Sequence, residues 1–281
     1  MSPAPFGARL RQAMDARGPL CVGIDPHPSL LTSWGLTDDV SGLERFTRTT
    51  VEALADRVAV LKPQSAFFER FGSRGVAVLE QAVAEAREAG ALVLMDAKRG
   101  DIGSTMDAYA AAYLDPDSPL FSDALTVSPY LGYGSLAPAV RRARESGAGL
   151  FVLALTSNPE GAEVQHARCP DGTSLAATVL SHLAEENAGE APWGSFGAVV
   201  GATLGDAVAE AGADLRIGGP LLAPGIGAQG ATPADLPGVF GPSVGSVLPS
   251  VSRVVLGAGP DVEGLRQAAE HFVQEVREAV A

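Results

Sequence analysis

Lysine is nearly missing from this chain. Of its 20 basic residues only two are lysine, Lys62 and Lys98, and the rest are arginine. Arginine is a fixed cation, whereas the compact lysine ammonium can hand over a proton. A chain that keeps lysine at two places only has kept it where proton donation or compact shape matters. Cysteine is as scarce: Cys21 and Cys169 stand far apart, which gives neither a disulfide scaffold nor zinc-ligand spacing. Cys21 falls in an apolar run and reads as a small core residue. No apolar run approaches the ~18 residues of a membrane span, and the N-terminus lacks the apolar stretch of a signal peptide; the expected location is the cytoplasm, without membrane contact. The net charge of −13 argues against nucleic acid and anionic membranes as partners, although a site can still be locally positive. A Gly-x-Gly-x-x-Gly turn after the first strand is also missing. Val22-Gly-Ile-Asp25-Pro-His27-Pro stands there instead, which makes an open doubly wound sheet the runner-up fold.

What is present is a steady alternation. The 281 residues are 46% apolar and 19% charged, enough chain for a sizeable core. Strand-like runs fall at Leu20–Ile24, Val58–Leu61, Ala91–Met95, Ala124–Val127, Leu150–Leu155, Phe196–Val200, Leu221–Ala223 and near Val244–Val251. Helical patterns lie between them: Ser41–Arg57, with Ser41 and Glu44 spaced as a capping box; Gly75–Ala89, closed by Gly90; Ser104–Leu114; Ala137–Ser146; Ser174–Asn187; Leu204–Glu210; and Asp261–Val280. A short helix is expected after Thr232. Eight strand–helix units predict one (β/α)₈ TIM barrel over residues 1–281, with Phe6–Arg17 as an extra N-terminal helix closing the barrel floor. Asn158–Thr173 and Gly230–Ser243, both rich in Pro and Gly, are expected as loops at the C-terminal face.

The two lysines end neighbouring strands, at Val-Ala-Val-Leu-Lys62 and Leu-Met-Asp96-Ala-Lys98. On a strand Asp96 and Lys98, two apart, share a face. Gly100 suggests a sharp turn, with Asp101 on the loop beyond. Lys62, Asp96, Lys98 and Asp101 therefore alternate in sign at one end of one sheet. Buried charges are costly unless paired, and such a set at barrel strand ends points to an active site rather than a structural network. Strand seven runs into Ala223-Pro-Gly225-Ile-Gly227-Ala-Gln229-Gly230. Its glycines let backbone N–H groups approach an anion, and Arg253 after strand eight can grip a phosphate.

The segment Asp96-Ala-Lys98-Arg-Gly-Asp101-Ile102-Gly-Ser-Thr105 resembles the signature of the orotidine 5′-phosphate decarboxylase family. Gly23-Ile-Asp25, Leu61-Lys62-Pro63, Thr156-Ser157-Asn158-Pro159, Pro224–Gly230 and Arg253 match other parts of that pattern in order. The loop after strand five is similar to the longer-chain bacterial subgroup. The resemblance implies decarboxylation of orotidine 5′-phosphate (OMP) to UMP without cofactor or metal. It implies Lys98 as proton donor to C6, Asp96 beside the departing carboxylate, and Lys62 holding Asp96 and a ribose hydroxyl. It further implies Asp25 on the ribose, Ser157 on the pyrimidine, Ile102 along its apolar side, and the Gly227 loop, Gln229 and Arg253 on the phosphate. Asp101 and Thr105 would reach into the partner's site of a homodimer. Such chemistry suits these residues: loss of CO₂ leaves a poorly delocalised carbanion at C6, which a fixed ammonium stabilises and then protonates. The rivals are a Mg²⁺-dependent sugar-phosphate synthase or decarboxylase of the same barrel group, which would place a carboxylate where Lys62 stands, and a non-catalytic nucleotide-binding barrel.

Overall fold

The computed structural model describes residues 4–227 and 229–280. Its eight strands are β1 Cys21–Ile24, β2 Val60–Pro63, β3 Leu92–Arg99, β4 Ala124–Val127, β5 Gly149–Leu155, β6 Phe196–Val200, β7 Leu221–Pro224 and β8 Val247–Val251. All pair in parallel and in chain order, and Cys21↔Ser250 and Val22↔Val251 close the ring. This is the (β/α)₈ barrel that the alternation predicts. The strands between β1 and β8 carry helices outside because parallel neighbours need a crossover that covers the sheet. Val262–Val280 buries Leu265, Ala269, Phe272, Val273 and Val276, a spacing of three and four that lays one apolar stripe on the barrel. No helix among the described residues is long and apolar enough to cross a membrane.

The barrel interior is filled from below. Phe6 and Leu10 of the N-terminal helix, Phe6–Arg17, are fully buried against Cys21, Leu94, Phe151 and Leu248 from the strands. The Phe6 ring meets Phe151 edge-on, with centroids 6.0 Å apart. Phe6–Arg17 thus closes the floor as expected. Its outer lock is Asp123, buried at the entry to β4, which ion-pairs Arg9 and Arg87 and accepts the Val93 N–H at 2.9 Å. Asp123→Ala would orphan that buried donor and remove the carboxylate that Arg9 and Arg87 share. It should cost about 3 kcal/mol of stability in denaturant unfolding and leave turnover per folded molecule within about twofold, because the locked end lies opposite the strand C-termini. A cost below about 1 kcal/mol would mean that Phe6 packing alone holds the floor.

Several local readings are corrected. Ser41 does not cap the first long helix. It runs Val40–Leu54, and the cap is Asp39, whose carboxylate accepts the Gly42 N–H at 2.9 Å and is itself held by Thr37. Leu204–Glu210 shrinks to one turn, Ala207–Glu210, because Gly205 takes a φ of 50° and only Val208 is buried. The 158–173 segment contains a helical turn, Gly161–Gln165. Within 230–243 the short helix expected after Thr232 is present, starting from a Thr232–Asp235 capping box. Gly100 is not a left-handed turn residue. A Cβ there would sit 2.5 Å from the Ser128 carbonyl oxygen, so Gly100 permits close packing of the β3 and β4 ends.

Candidate active site

Inward-facing positions recur every second residue along each strand. The lower layer is apolar, with Cys21, Val60, Leu94, Ala124 and Leu248. One step of two toward the C-terminal face replaces them with Gly23, Lys62, Asp96, Thr126 and Ser250. The charged cluster therefore stands on an apolar floor, which burial makes costly unless every charge is paired.

Asp96 is the hub. One carboxylate oxygen takes the Lys62 Nζ at 3.0 Å; the other takes the Lys98 Nζ at 2.5 Å and the Thr126 hydroxyl at 2.9 Å. Burial pushes the Asp96 carboxyl up, but the Lys62 and Lys98 ammoniums outweigh it and hold it well below the usual carboxylate range. Burial likewise pulls the Lys62 ammonium down, and the Asp96 and Asp25 carboxylates more than reverse that. Both groups stay charged across the physiological range. Underneath, burial pushes the Cys21 thiol up to about 12, leaving it a neutral core residue. The Lys62 side chain is only 8% exposed while that of Lys98 is 45% exposed. Lys62 is enclosed, whereas Lys98 keeps part of its side chain open to solvent while it pairs with Asp96.

Regular alternation does not bring Asp96 and Lys98 together. Met95 pairs with Leu125 and Arg99 with Val127, so three β3 residues, Asp96, Ala97 and Lys98, oppose Thr126 alone. Within this bulge Lys98 takes a φ of 48°, the one positive value at a non-glycine among the described residues. That conformation costs about 1–2 kcal/mol; strain of this kind clusters at functional sites.

A cavity of about 260 Å³ opens over the cluster. At ~30 Å³ per water it has room for a small molecule. Asp25, Lys62, Asp96 and Lys98 form one wall; Gly225, Gln229 and Arg253 form the other. Three cations against two carboxylates make it locally positive inside an acidic chain. Gly23 leaves the room Asp25 needs, since a Cβ there would lie 2.8 Å from the Asp25 carboxylate. Asp25 Oδ1 and Ser252 Oγ are buried with no hydrogen-bond partner among the described residues, so Asp25 can accept from a ligand hydroxyl and Ser252 can donate to a ligand oxygen. Gly227, at φ 76°, lies where a Cβ would strike Val254 at 2.1 Å, so glycine lets its loop approach the segment that carries Arg253. Ala228 of that loop lies outside the described residues. Ser157 donates to the Gln229 side chain at 2.6 Å, joining the β5 and β7 loops.

Asp101, Ile102 and Thr105 do not line this cavity. They sit at its rim, at and before the start of the helix Gly103–Leu114, with Ile102 63% exposed and the Asp101 carboxylate turned back on the Ile102 N–H. Sequence reasoning missed His27, Gln64, Thr126, Ser250 and Ser252. His27 lines the cavity with its ring edge against Phe67, and its place after Asp25 signals nothing until the barrel register is known. Among the described residues no three His, Cys, Asp or Glu side chains gather as a metal site.

The model of the orotidine 5′-phosphate decarboxylase / HUMPS family matches residues 18–268. The orotidine 5′-phosphate decarboxylase of Streptomyces coelicolor is 76% identical over 98% of both chains, and that of Salinispora tropica 63% identical, also over 98% of both. A solved chain from Streptomyces avermitilis superposes with a TM-score of 0.97 at 76% identity, covering 100% of this chain and 97% of that one. The Leishmania donovani OMP decarboxylase gives 0.78 at 30% identity, over 100% and 99%. Likeness that runs from the strand carrying Asp25 through the terminal helix, at such identity, leaves one conclusion: the chain belongs to the orotidine 5′-phosphate decarboxylase / HUMPS family.

Proposed function

We propose that this protein decarboxylates OMP to UMP and CO₂ in de novo pyrimidine biosynthesis, working in the cytoplasm as one barrel domain over residues 1–281. The observation that carries the reading is Asp96 held between two ammonium groups under a cavity whose far wall ends in Gly225, Gln229 and Arg253. The phosphate is gripped by the Gly227 loop, Gln229 and Arg253. Asp25 and Lys62 take the ribose hydroxyls, Ser157 meets the pyrimidine, and C6 lies over Lys98. The C6–carboxylate bond breaks beside Asp96, whose fixed negative charge disfavours the bound carboxylate more than the departing CO₂. The bonding pair stays on C6, where the Lys98 ammonium stabilises it and delivers a proton; solvent then recharges the lysine. The relatives named orotidine 5′-phosphate decarboxylase at 76% and 63% identity support this substrate.

The scheme uses no cofactor and no metal. A Mg²⁺-dependent sugar-phosphate reaction is disfavoured because the buried Lys62 ammonium would repel a cation. A silent binder is disfavoured because binding alone gains nothing from stacked charges and a strained Lys98. The protein works as a homodimer in which Asp101 and Thr105 of one chain complete the other's site. The exposed apolar side chains of Ile102, Tyr130 and Leu131 on neighbouring loops support that interface.

Turnover of OMP, followed by loss of its pyrimidine absorbance, tests the reading; no turnover would refute it. Arg253→Ala sharpens the test. It should lower kcat/KM for OMP by at least ~10³-fold but that for the nucleoside orotidine by only a few-fold, because a substrate lacking phosphate has no such contact to lose. Equal losses on both substrates would make Arg253 a structural residue.

A further inference from the structure

Thr126 is buried at the inward position of β4, one step above the apolar floor, and its hydroxyl makes two close hydrogen bonds beside a long contact to the Met95 carbonyl at 3.5 Å. It accepts the Lys98 backbone N–H at 3.0 Å and donates to Asp96 Oδ1 at 2.9 Å, the same oxygen that receives the Lys98 ammonium. A threonine hydroxyl has one proton and two lone pairs, so both uses are met at once. The β3 bulge leaves Lys98 without a regular ladder partner, since Thr126 stands alone opposite three residues. The backbone of Lys98 is therefore fixed in its left-handed conformation by a side chain and not by the sheet. Beyond the bulge the sheet resumes, with the Ser128 N–H donating to the Arg99 carbonyl at 2.8 Å and Gly100 packed on Ser128.

We infer that Thr126 is a positioning residue, a clamp that ties the strained backbone of Lys98 to the Asp96 carboxylate and so aims the ammonium at the reacting carbon. The inference rests on the OMP reading above and adds to it a residue that touches no substrate. Its hydroxyl sets both ends of the Lys98 side chain, the Cα through the N–H and the Nζ through their shared carboxylate oxygen. Without it the bulge can relax toward ordinary extended backbone, which swings the ammonium away from its place over the cluster. A displacement near 1 Å at a reacting group costs about 10²-fold.

Thr126→Val and Thr126→Ala should each lose ~10²-fold in kcat on OMP while KM and the affinity for UMP stay within about threefold, the mark of an interaction that matters in the transition state only. Thr126→Ser keeps the hydroxyl and loses the methyl, and should return to within about fivefold of wild type. The serine and alanine variants carry the same deleted methyl, so their ratio isolates the hydroxyl even if the valine variant does not fold. The clamp is refuted if the alanine variant keeps kcat within twofold of serine. It is also refuted if kcat and UMP affinity fall together, or if the alanine and valine variants fail to fold while serine folds, since each would make Thr126 a stability element. Wild-type protein in the same assay separates the two layers. Inactivity toward OMP removes the function and the clamp with it, whereas an active wild type beside an equally active alanine variant removes the clamp alone.

Discussion

Lys98→Ala is expected to cut kcat on OMP by at least ~10⁴-fold, because the substitution removes both the charge that stabilises the C6 carbanion and the proton that quenches it. The fold should survive, since the Lys98 side chain is 45% exposed and Asp96 keeps its buried partner Lys62. UMP should still bind, because the phosphate wall is untouched. Lys98→Arg should be nearly as inactive. Guanidinium keeps the charge but is larger, planar and too weak an acid to protonate carbon. An arginine variant within about tenfold of wild type, roughly 1.4 kcal/mol of barrier, would contradict the proton-donor role.

Mixing two dead variants should restore activity. Asp101 lies three residues beyond Lys98, yet its carboxylate turns to the Ile102 N–H at the rim and not into its own cavity. If it serves the neighbouring chain, Lys98→Ala and Asp101→Ala homodimers are each nearly inactive. A mixed dimer then gathers both lesions in one site and leaves the other intact. Random reassortment makes about half the dimers mixed, so about a quarter of all sites are wild type under two-fold symmetry. Activity approaching that fraction after co-refolding is the expected result. Mixed dimers seen by mass measurement, with activity no higher than that of the separate variants, would place Asp101 in its own chain's chemistry or outside chemistry altogether.

The barrel was legible because its signals are local and repeated. Apolar strand runs, the helical patterns between them and the glycine after Glu88 and Ala89 each follow from a few neighbouring residues. Lys62, Asp96 and Lys98 were legible because a lone lysine among arginines, at a strand end, is a chemical oddity. The reason that Asp96 and Lys98 meet was not legible. The period of two predicts a shared face, but the contact arises from a bulge fixed by Thr126 on the next strand, thirty residues further on in sequence. Asp39 displaced Ser41 as the helix cap because Gly42 fits closely under the Thr37 carbonyl, a packing detail that the capping pattern does not encode. His27 and the partnerless hydroxyl of Ser252 joined the site only when β1 and β8 closed the ring.

Metal-free decarboxylation of OMP is expected in the cavity over Lys62, Asp96 and Lys98. The most direct measurement is the release of CO₂ and UMP from OMP by protein stripped with EDTA, assayed with and without added Mg²⁺. Equal amounts of CO₂ and UMP, at a rate unchanged by chelator or metal, are predicted. A rate abolished by EDTA and restored by Mg²⁺, or no product in either condition, would contradict the account.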